Sequence, residues 1–277
     1  MVRGQQPMID RYAVLGNPIA HSKSPMIHQR FAAQTQQAMS YEAICLPLDG
    51  FIAGIADLHQ QGFKGMNVTV PFKFEAFNAC ESVSERAHIA GAVNTLIRTP
   101  TGWQGDNTDG AGLVADLVRL TNTLAGKRIL LLGAGGAASG VIKPLLDDNV
   151  DQLTIANRTP QKAIELAKRA AHLRINGCGF DVVPNQPYDI IINATAASLS
   201  GELPPLKAGW FADAGCLAYD MMYGKEPTVF MQAAKQLGAT HIADGLGMLI
   251  EQAAEAFYLW RGVRPLTADI LNTFKIR

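Results

Sequence analysis

One segment constrains the fold of this chain more than any other. The apolar run Arg128-Ile-Leu-Leu-Leu132 leads directly into Gly133-Ala134-Gly135-Gly136-Ala137-Ala138, and small residues continue behind it in a helical pattern. The glycine stretch fits G-x-G-x-x-A between a buried strand and a helix, the context in which such a loop holds a dinucleotide. The first glycine permits the tight turn, and the second lets the backbone approach a pyrophosphate. Ala138 keeps the helix close to the sheet, and N–H groups at the helix start face the anion.

The end of the next strand discriminates between cofactors. Gln152–Ala156 reads as that strand and runs into Asn157-Arg158-Thr159 before Pro160, with Lys162 one helical turn after Arg158-Thr159. NAD-binding loops usually carry Asp or Glu here, about 20 residues on, to hold the ribose 2′-hydroxyl. This chain offers guanidinium, ammonium and amide groups instead, which suit a 2′-phosphate. Thr159 before Pro160 also reads as a helix cap with a first-turn proline, a second anion-friendly helix end. The expected cofactor is NADP.

Short apolar runs alternate with helical patterns along the chain, so the fold class is α/β with parallel sheets. Tyr12–Leu15, Tyr41–Leu46, Gly65–Val70 and Ala92–Ile97 read as early strands, and Tyr188–Asn193 and Cys216–Tyr219 as late ones. Ser24-Pro25 reads as a helix cap and first turn. Residues 51–62 and 74–90 read as helices, with Ser82-x-x-Glu85 as a capping box inside the second. Further helices are expected after Asp109, at 227–237, at 246–261 and near 267–275. At 277 residues two domains are the natural expectation. The pattern changes near residue 110 and again near 240.

Composition removes several classes of function. Lys and Arg total 24 against 24 Asp and Glu, so no global charge draws the chain to nucleic acid. No apolar run approaches the ~20 residues of a membrane span. The opening MVRGQQPMIDRY lacks the apolar core of a secretory signal, and a cytoplasmic protein is expected. Cys45, Cys80, Cys178 and Cys216 lie far apart without a CxxC, and the six histidines show no metal-type spacing, so no metal is expected.

Polar residues collect beside the early strand ends, where open α/β sheets bind ligands. Ser22 and Ser24 follow the Gly16-Asn-Pro18 turn, Thr69 closes the third run, and Lys73 comes just after Pro71-Phe72. Asn94 lies within Gly91-Ala-Val-Asn-Thr95, and Asp109 within Gly105-Asp-Asn-Thr-Asp-Gly110. Hydroxyls, an amide, an ammonium and a carboxylate suit a small polyhydroxylated substrate. Each also has a structural reading: the serines and Asp109 can cap helices, Thr69 can be a strand residue, and Asn94 can pair with a turn. Lys73 is the least comfortable structurally, because a cation at a helix start opposes the dipole. A lysine near a carboxylate can hold a substrate oxygen and pass it a proton.

These segments together resemble the shikimate dehydrogenase family over nearly the whole chain. The resemblance rests on Tyr12-Ala-Val-Leu-Gly-Asn-Pro-Ile-Ala-His-Ser-Lys-Ser-Pro25, Asn67-Val-Thr-Val-Pro-Phe-Lys73, Gly91–Thr95, Gly105–Gly110, Gly133–Ala137, Asn157–Thr159, Asn193-Ala-Thr195, Tyr219-Asp-Met-Met-Tyr223 and Asp244-Gly-Leu-Gly-Met248. It implies an N-terminal α/β substrate domain over 1–109, a C-terminal Rossmann dinucleotide-binding domain over 110–244, and helices 245–277 packing back on the first. It implies substrate binding by Ser22, Ser24, Thr69, Asn94, Asp109, Tyr223 and Gln252, with Lys73 as acid/base paired with Asp109. Met221 and Gly245 would line the nicotinamide side, beside the contacts of Gly133, Ala134, Gly135, Gly136, Ala137, Asn157, Arg158, Thr159 and Lys162. The family also suggests a cofactor contact at Glu85, where helix capping is the better reading.

The departures from the family pattern are Ala138 for a serine, Lys162 for a frequent arginine, and Ala196-Ala197 for small hydroxyl residues. Lys162 keeps the charge but loses the planar fork, which reduces 2′-phosphate affinity. The implied reaction is reversible NADPH-dependent reduction of 3-dehydroshikimate to shikimate, on the route to chorismate and the aromatic amino acids. Rival readings are an NAD-using quinate/shikimate dehydrogenase, a catalytically silent NADP-binding regulator, and a folate-linked dehydrogenase. A small-molecule substrate is the expected partner, with no nucleic acid or membrane, for a monomer or homodimer.

Overall fold

The computed structural model describes residues 9–195, 197, 201–212 and 215–275. Most of the N-terminal stretch read above for a leader, and Ala196, lie outside them. The chain divides into two compact units. One holds the described residues up to Thr108 and from Gln252 onward, and the other is Asp109–Glu251.

The first unit is built on a mixed sheet of β1 (Asp10–Gly16), β2 (Met39–Cys45), β3 (Gly65–Val68), β4 (Ser82–Val83), β5 (Thr95–Arg98) and β6 (Trp103–Asp106), ordered β2-β1-β3-β5-β6-β4. The β1 strand is parallel to β2 and β3, whereas β5 is antiparallel to both β3 and β6. The carboxyl ends of β1, β3 and β6 and the start of β5 therefore share one end of the sheet. Helices α1 (Ser24–Thr35), α2 (Phe51–Gln60), α3 (Lys73–Ala79) and α4 (Glu85–Ala90) complete the early part. Leu15, Phe51, Phe63, Met66, Phe72, Val93, Leu96 and Trp103 form its core. Burying one such side chain contributes about 1.5–3 kcal/mol.

Three local expectations are corrected here. Residues 74–90 are not one helix: Cys80 adopts extended backbone, and Ser82 and Val83 pair with Gln104 and Gly105. A long-range pairing thus overrides the local helical pattern. The α4 cap is Ser84, whose Oγ accepts from Ala87 N, so Ser82-x-x-Glu85 is no capping box. At α1 the capping position belongs to Lys23, and Ser24 is already helical.

The second unit opens with α5 (Asp109–Thr121) and continues β7 (Arg128–Leu132), α6 (Gly136–Asp147), β8 (Gln152–Asn157), α7 (Pro160–Ala170), β9 (Ile175–Gly179), β10 (Ile190–Asn193), β11 (Leu217–Asp220), α8 (Val229–Gln236) and β12 (His241–Asp244). Its sheet is parallel throughout, in the order β12-β11-β10-β7-β8-β9. Counted from β7 this is the doubly wound 3-2-1-4-5-6 order, with its switch point between β7 and β10. Leu131, Val141, Leu145, Ile155, Ile190 and Ile192 pack on one face, and Tyr188, Trp210, Phe211 and Phe230 on the other. Strands β6, β9 and β12 carry little apolar alternation and were not anticipated. Gly177 in β9 is required by contact, since a Cβ there would overlap the Ala163 carbonyl.

The α9 helix (Leu246–Arg261) passes from the second unit into the first, where α10 (Ala268–Lys275) closes the described chain. The four cysteines are free: Cys45 is exposed, Cys80 and Cys178 are half-buried, and Cys216 is buried.

Candidate active site

In the second unit the glycine loop lies at the switch point. Gly133 adopts φ +109°, and a Cβ there would sit 3.1 Å from Thr195 Cγ2 and 3.2 Å from the Ala194 backbone. Glycine is thus demanded twice, by conformation and by the approach of the β10 end. Nothing lies within 4 Å of a Cβ placed on Gly135. Gly135, Gly136 and Ala137 are exposed at the start of α6, which has no side-chain cap, and Ala134 lies beside them half-buried. Open space over an uncapped helix start fits a pyrophosphate.

At the end of β8, Arg158 and Thr159 are exposed, and Lys162 stands exposed in the first turn of α7. Thr159 is the N-cap of α7 in extended backbone, yet its side chain makes no capping bond. Asn157 is partly committed, because its Nδ2 donates to Thr159 O at 3.0 Å and shapes the turn. Two cations, a hydroxyl and a helix start therefore lie exposed within five residues of one another, with no carboxylate at the β8 end. This donor set fits a phosphate monoester and lacks the carboxylate that accepts from a bare ribose 2′-hydroxyl.

On the other side of the switch point, buried Asp220 accepts from Met222 N at 3.0 Å and Thr228 Oγ1 at 2.6 Å. These bonds fix the turn that carries Met221 and Tyr223. A Cβ on Gly245 would overlap the Met221 carbonyl, so the two meet as closely as backbone allows. Partial burial first and the charge of Asp244 second raise the Tyr223 phenol above its ordinary range.

In the first unit the anticipated residues occupy the shared sheet end. Ser22 Oγ accepts from Ser24 N at 3.3 Å. Thr69 lies just beyond β3, with its N–H on Leu15 O at 2.9 Å and its carbonyl accepting from Phe72 N at 3.0 Å. Lys73 opens α3, and its carbonyl accepts from Val93 N at 3.0 Å, which fixes the segment leading to Asn94. Asn94 is buried and bonds directly with Thr108 and Gln252, the latter 3.4 Å from its Nδ2. Asp109 follows Thr108 at the head of α5.

Several participants carried no local signal. Asp106 accepts from Arg86 through Nε at 2.7 Å and Nη2 at 2.9 Å, and from Ser84 Oγ at 2.5 Å. Burial raises its carboxyl, but Arg86 and Ser84 outweigh that and hold it below the usual range. Arg86 also reaches Glu255 on α9 at 3.1 Å, tying the loop before Asp109 to that helix. His28 is fully buried, stacked on Tyr41 with ring centroids 4.1 Å apart, and no group meets hydrogen-bond geometry at either ring nitrogen. Burial lowers its pKa to about 3, against a weaker opposing pull from the Asn67 amide. Among the described residues no cluster of three or more His, Cys, Asp or Glu side chains could hold a metal, and no helix is long and apolar enough to cross a membrane.

Residues 14–96 match the family described as the shikimate dehydrogenase substrate binding domain, residues 116–200 that of shikimate/quinate 5-dehydrogenase, and residues 245–273 the shikimate 5′-dehydrogenase C-terminal domain. The shikimate dehydrogenase (NADP(+)) of Herminiimonas arsenicoxydans is 58% identical over 265 residues, covering 95% of this chain and 96% of that one. The crystal structure of an Ael1 enzyme from Pseudomonas putida superposes with a TM-score of 0.93 at 44% identity, covering 97% of this chain and 99% of the other. Shikimate 5-dehydrogenase from Thermus thermophilus, solved in complex with NADP(H) and shikimate, gives 0.80 at 32% identity over 95% and 98%.

Proposed function

The chain belongs to the shikimate dehydrogenase family, and from that premise we propose that it catalyses the reversible NADPH-dependent reduction of 3-dehydroshikimate to shikimate, in aromatic biosynthesis. When bound, NADPH supplies the hydride. The α6 start and the Gly133–Ala137 loop hold the pyrophosphate, and Arg158, Thr159 and Lys162 hold the 2′-phosphate, with Asn157 shaping their turn. Met221 and Gly245 shape the nicotinamide wall.

Lys73 donates a proton to the substrate oxygen as it gains charge, or holds that charge electrostatically. Asp109 orients the ammonium and a substrate hydroxyl. Ser22, Ser24, Thr69, Asn94, Tyr223 and Gln252 bind the rest of the ring. The first unit carries the substrate and the second the cofactor. The observation that carries this reading is the convergence of Asn94, Thr108 and Gln252 at the sheet end where the Lys73 carbonyl anchors Val93. Four free thiols suit a cytoplasmic enzyme, acting as a monomer or homodimer.

The absence of a carboxylate after β8 favours NADP over an NAD-using quinate/shikimate dehydrogenase. A silent regulator would have no need of Lys73 and Asp109 together. The test is reduction of NADP and of NAD measured side by side with shikimate and with quinate. Fastest turnover of the NADP–shikimate pair is expected. Preference for NAD, or inertness toward shikimate, overturns the assignment.

A further inference from the structure

Asn94 and Gln252 are carboxamides, and a carboxamide can present either an oxygen or an NH2 group to a ligand. Which one it presents is decided by what holds its other end. Two backbone groups settle this in the first unit. Thr108 N, which can only donate, lies 2.8 Å from Asn94 Oδ1. Asn94 O, which can only accept, lies 3.3 Å from Asn67 Nδ2. Neither amide can be reversed without setting like against like.

The hydroxyl hydrogens then follow by counting. Tyr41 Oη donates to Asn67 Oδ1 at 2.7 Å, and Asn67 Nδ2 donates to Thr95 Oγ1 at 3.2 Å. Thr95 has one hydroxyl hydrogen, and it goes to Asn94 Oδ1 at 2.8 Å. That oxygen is now filled by Thr95 and Thr108 N. Asn94 Nδ2 donates to Thr108 Oγ1 at 3.0 Å. The Thr108 hydrogen can reach Asn94 Oδ1 at 3.2 Å, Thr95 Oγ1 at 3.3 Å or Gln252 Oε1 at 3.3 Å, and since the first two already accept from other donors we assign it to Gln252. With that assignment the side-chain relay runs in one direction, from Tyr41 to Gln252. All these side chains but Tyr41 and Gln252 are flanked on both sides by the chain, and every one of the six residues is buried.

We propose that Tyr41, through Asn67 and Thr95, is a positioning residue that polarises the substrate-binding amides, holding Gln252 by its oxygen so that its NH2 end is the one that can donate to a substrate oxygen. Tyr41 suits the head of such a chain. Burial pushes its phenol well above the ordinary range, so it remains a donor at every working pH. Its ring is clamped by the parallel His28 imidazole. Removing the head takes from Asn67 Oδ1 its 2.7 Å hydroxyl donor and loosens the amides behind it.

The inference rests on the reading of Asn94 and Gln252 as substrate-binding groups, and the test separates the two. Tyr41→Phe is expected to raise the KM for shikimate about three- to tenfold, with the KM for NADP unchanged. Thr95→Val, which cuts the chain at its middle, should do the same, and Thr95→Ser should restore the parental KM. In an Asn94→Ala background, Tyr41→Phe should add nothing further to the loss in kcat/KM for shikimate. Asn94→Ala raising the shikimate KM while Tyr41→Phe and Thr95→Val leave it untouched overturns the polarised chain. So do fully additive losses in the double variant. An Asn94→Ala enzyme with the parental KM overturns instead the assignment of the site. If Tyr41→Phe does not fold, the Thr95→Val and Thr95→Ser pair decides alone.

Discussion

Replacing His28 with phenylalanine should abolish a large part of the acid sensitivity of the first unit. The imidazole lies among Phe31, Tyr41, Phe257 and Trp260 with no group in hydrogen-bond geometry at either nitrogen, and burial, against a weaker pull from Asn67, lowers its pKa from 6.5 to about 3. Above pH ~6.5 it is neutral in both folded and unfolded chains and contributes no pH dependence. As pH falls below that value the unfolded chain takes up a proton that the folded chain refuses, so stability declines until about pH 3. Between about pH 7.5 and about pH 5 the loss from this one group is about 2 kcal/mol, as 1.36 kcal/mol per pH unit requires once the group is titrating. Phenylalanine keeps a flat aromatic ring in the stack and cannot bind the proton. Urea unfolding followed by tryptophan fluorescence at the two pH values gives the comparison. The parent should lose about 2 kcal/mol more than His28→Phe over that interval. At neutral pH the variant should be no less stable, since two unmatched polar atoms have been removed. Equal acid losses in parent and variant would refute the claim that this imidazole stays neutral in the fold.

Three other outcomes are expected. Lys73→Ala should lower kcat by more than about a hundredfold while changing the shikimate KM far less, as steady-state kinetics will show. An unchanged kcat removes the ammonium from the chemistry. Arg158→Glu should raise the KM for NADPH at least about tenfold and leave that for NADH nearly as it was; equal losses for both cofactors contradict the 2′-phosphate contact. Gly245→Ala should destabilise the second unit by about 1–3 kcal/mol, read as a lower melting temperature, because its methyl group overlaps the Met221 carbonyl.

What could be read from the chain divides along the range of the forces involved. The Rossmann core was legible because β7, the glycine loop and α6 are contiguous, and each residue type answers a local steric demand. Strand β9 was not, because Asn176, Gly177 and Gly179 have no strand pattern of their own. The strand exists because it pairs with β8 and because Gly177 lets α7 lie against it. The split of 74–90 into α3, β4 and α4 has the same origin, in pairing with a strand some twenty residues away. Around the candidate site, Lys73, Asn94 and Asp109 stand in recognisable segments next to turns. The partners that fix them do not. Gln252 is 158 residues from Asn94, and Glu255 is 169 residues from Arg86. Only the folded sheet brings those amides and charges into register.

The cysteines have a practical consequence. Burial and the neighbouring Glu81 push the Cys80 thiol up to about 11, burial and Asp181 raise Cys178, and Cys216 is enclosed. Thiolate is the form that alkylates, so at neutral pH these three should react slowly, whereas Cys45 stands in solvent at the end of β2. Cys45 pairs with Gly16 of β1, at the same end of the sheet as the proposed substrate-binding side chains. A single maleimide fluorophore or nitroxide can therefore be directed to this position without engineering, and a change in its signal on adding shikimate would report on the proposed site.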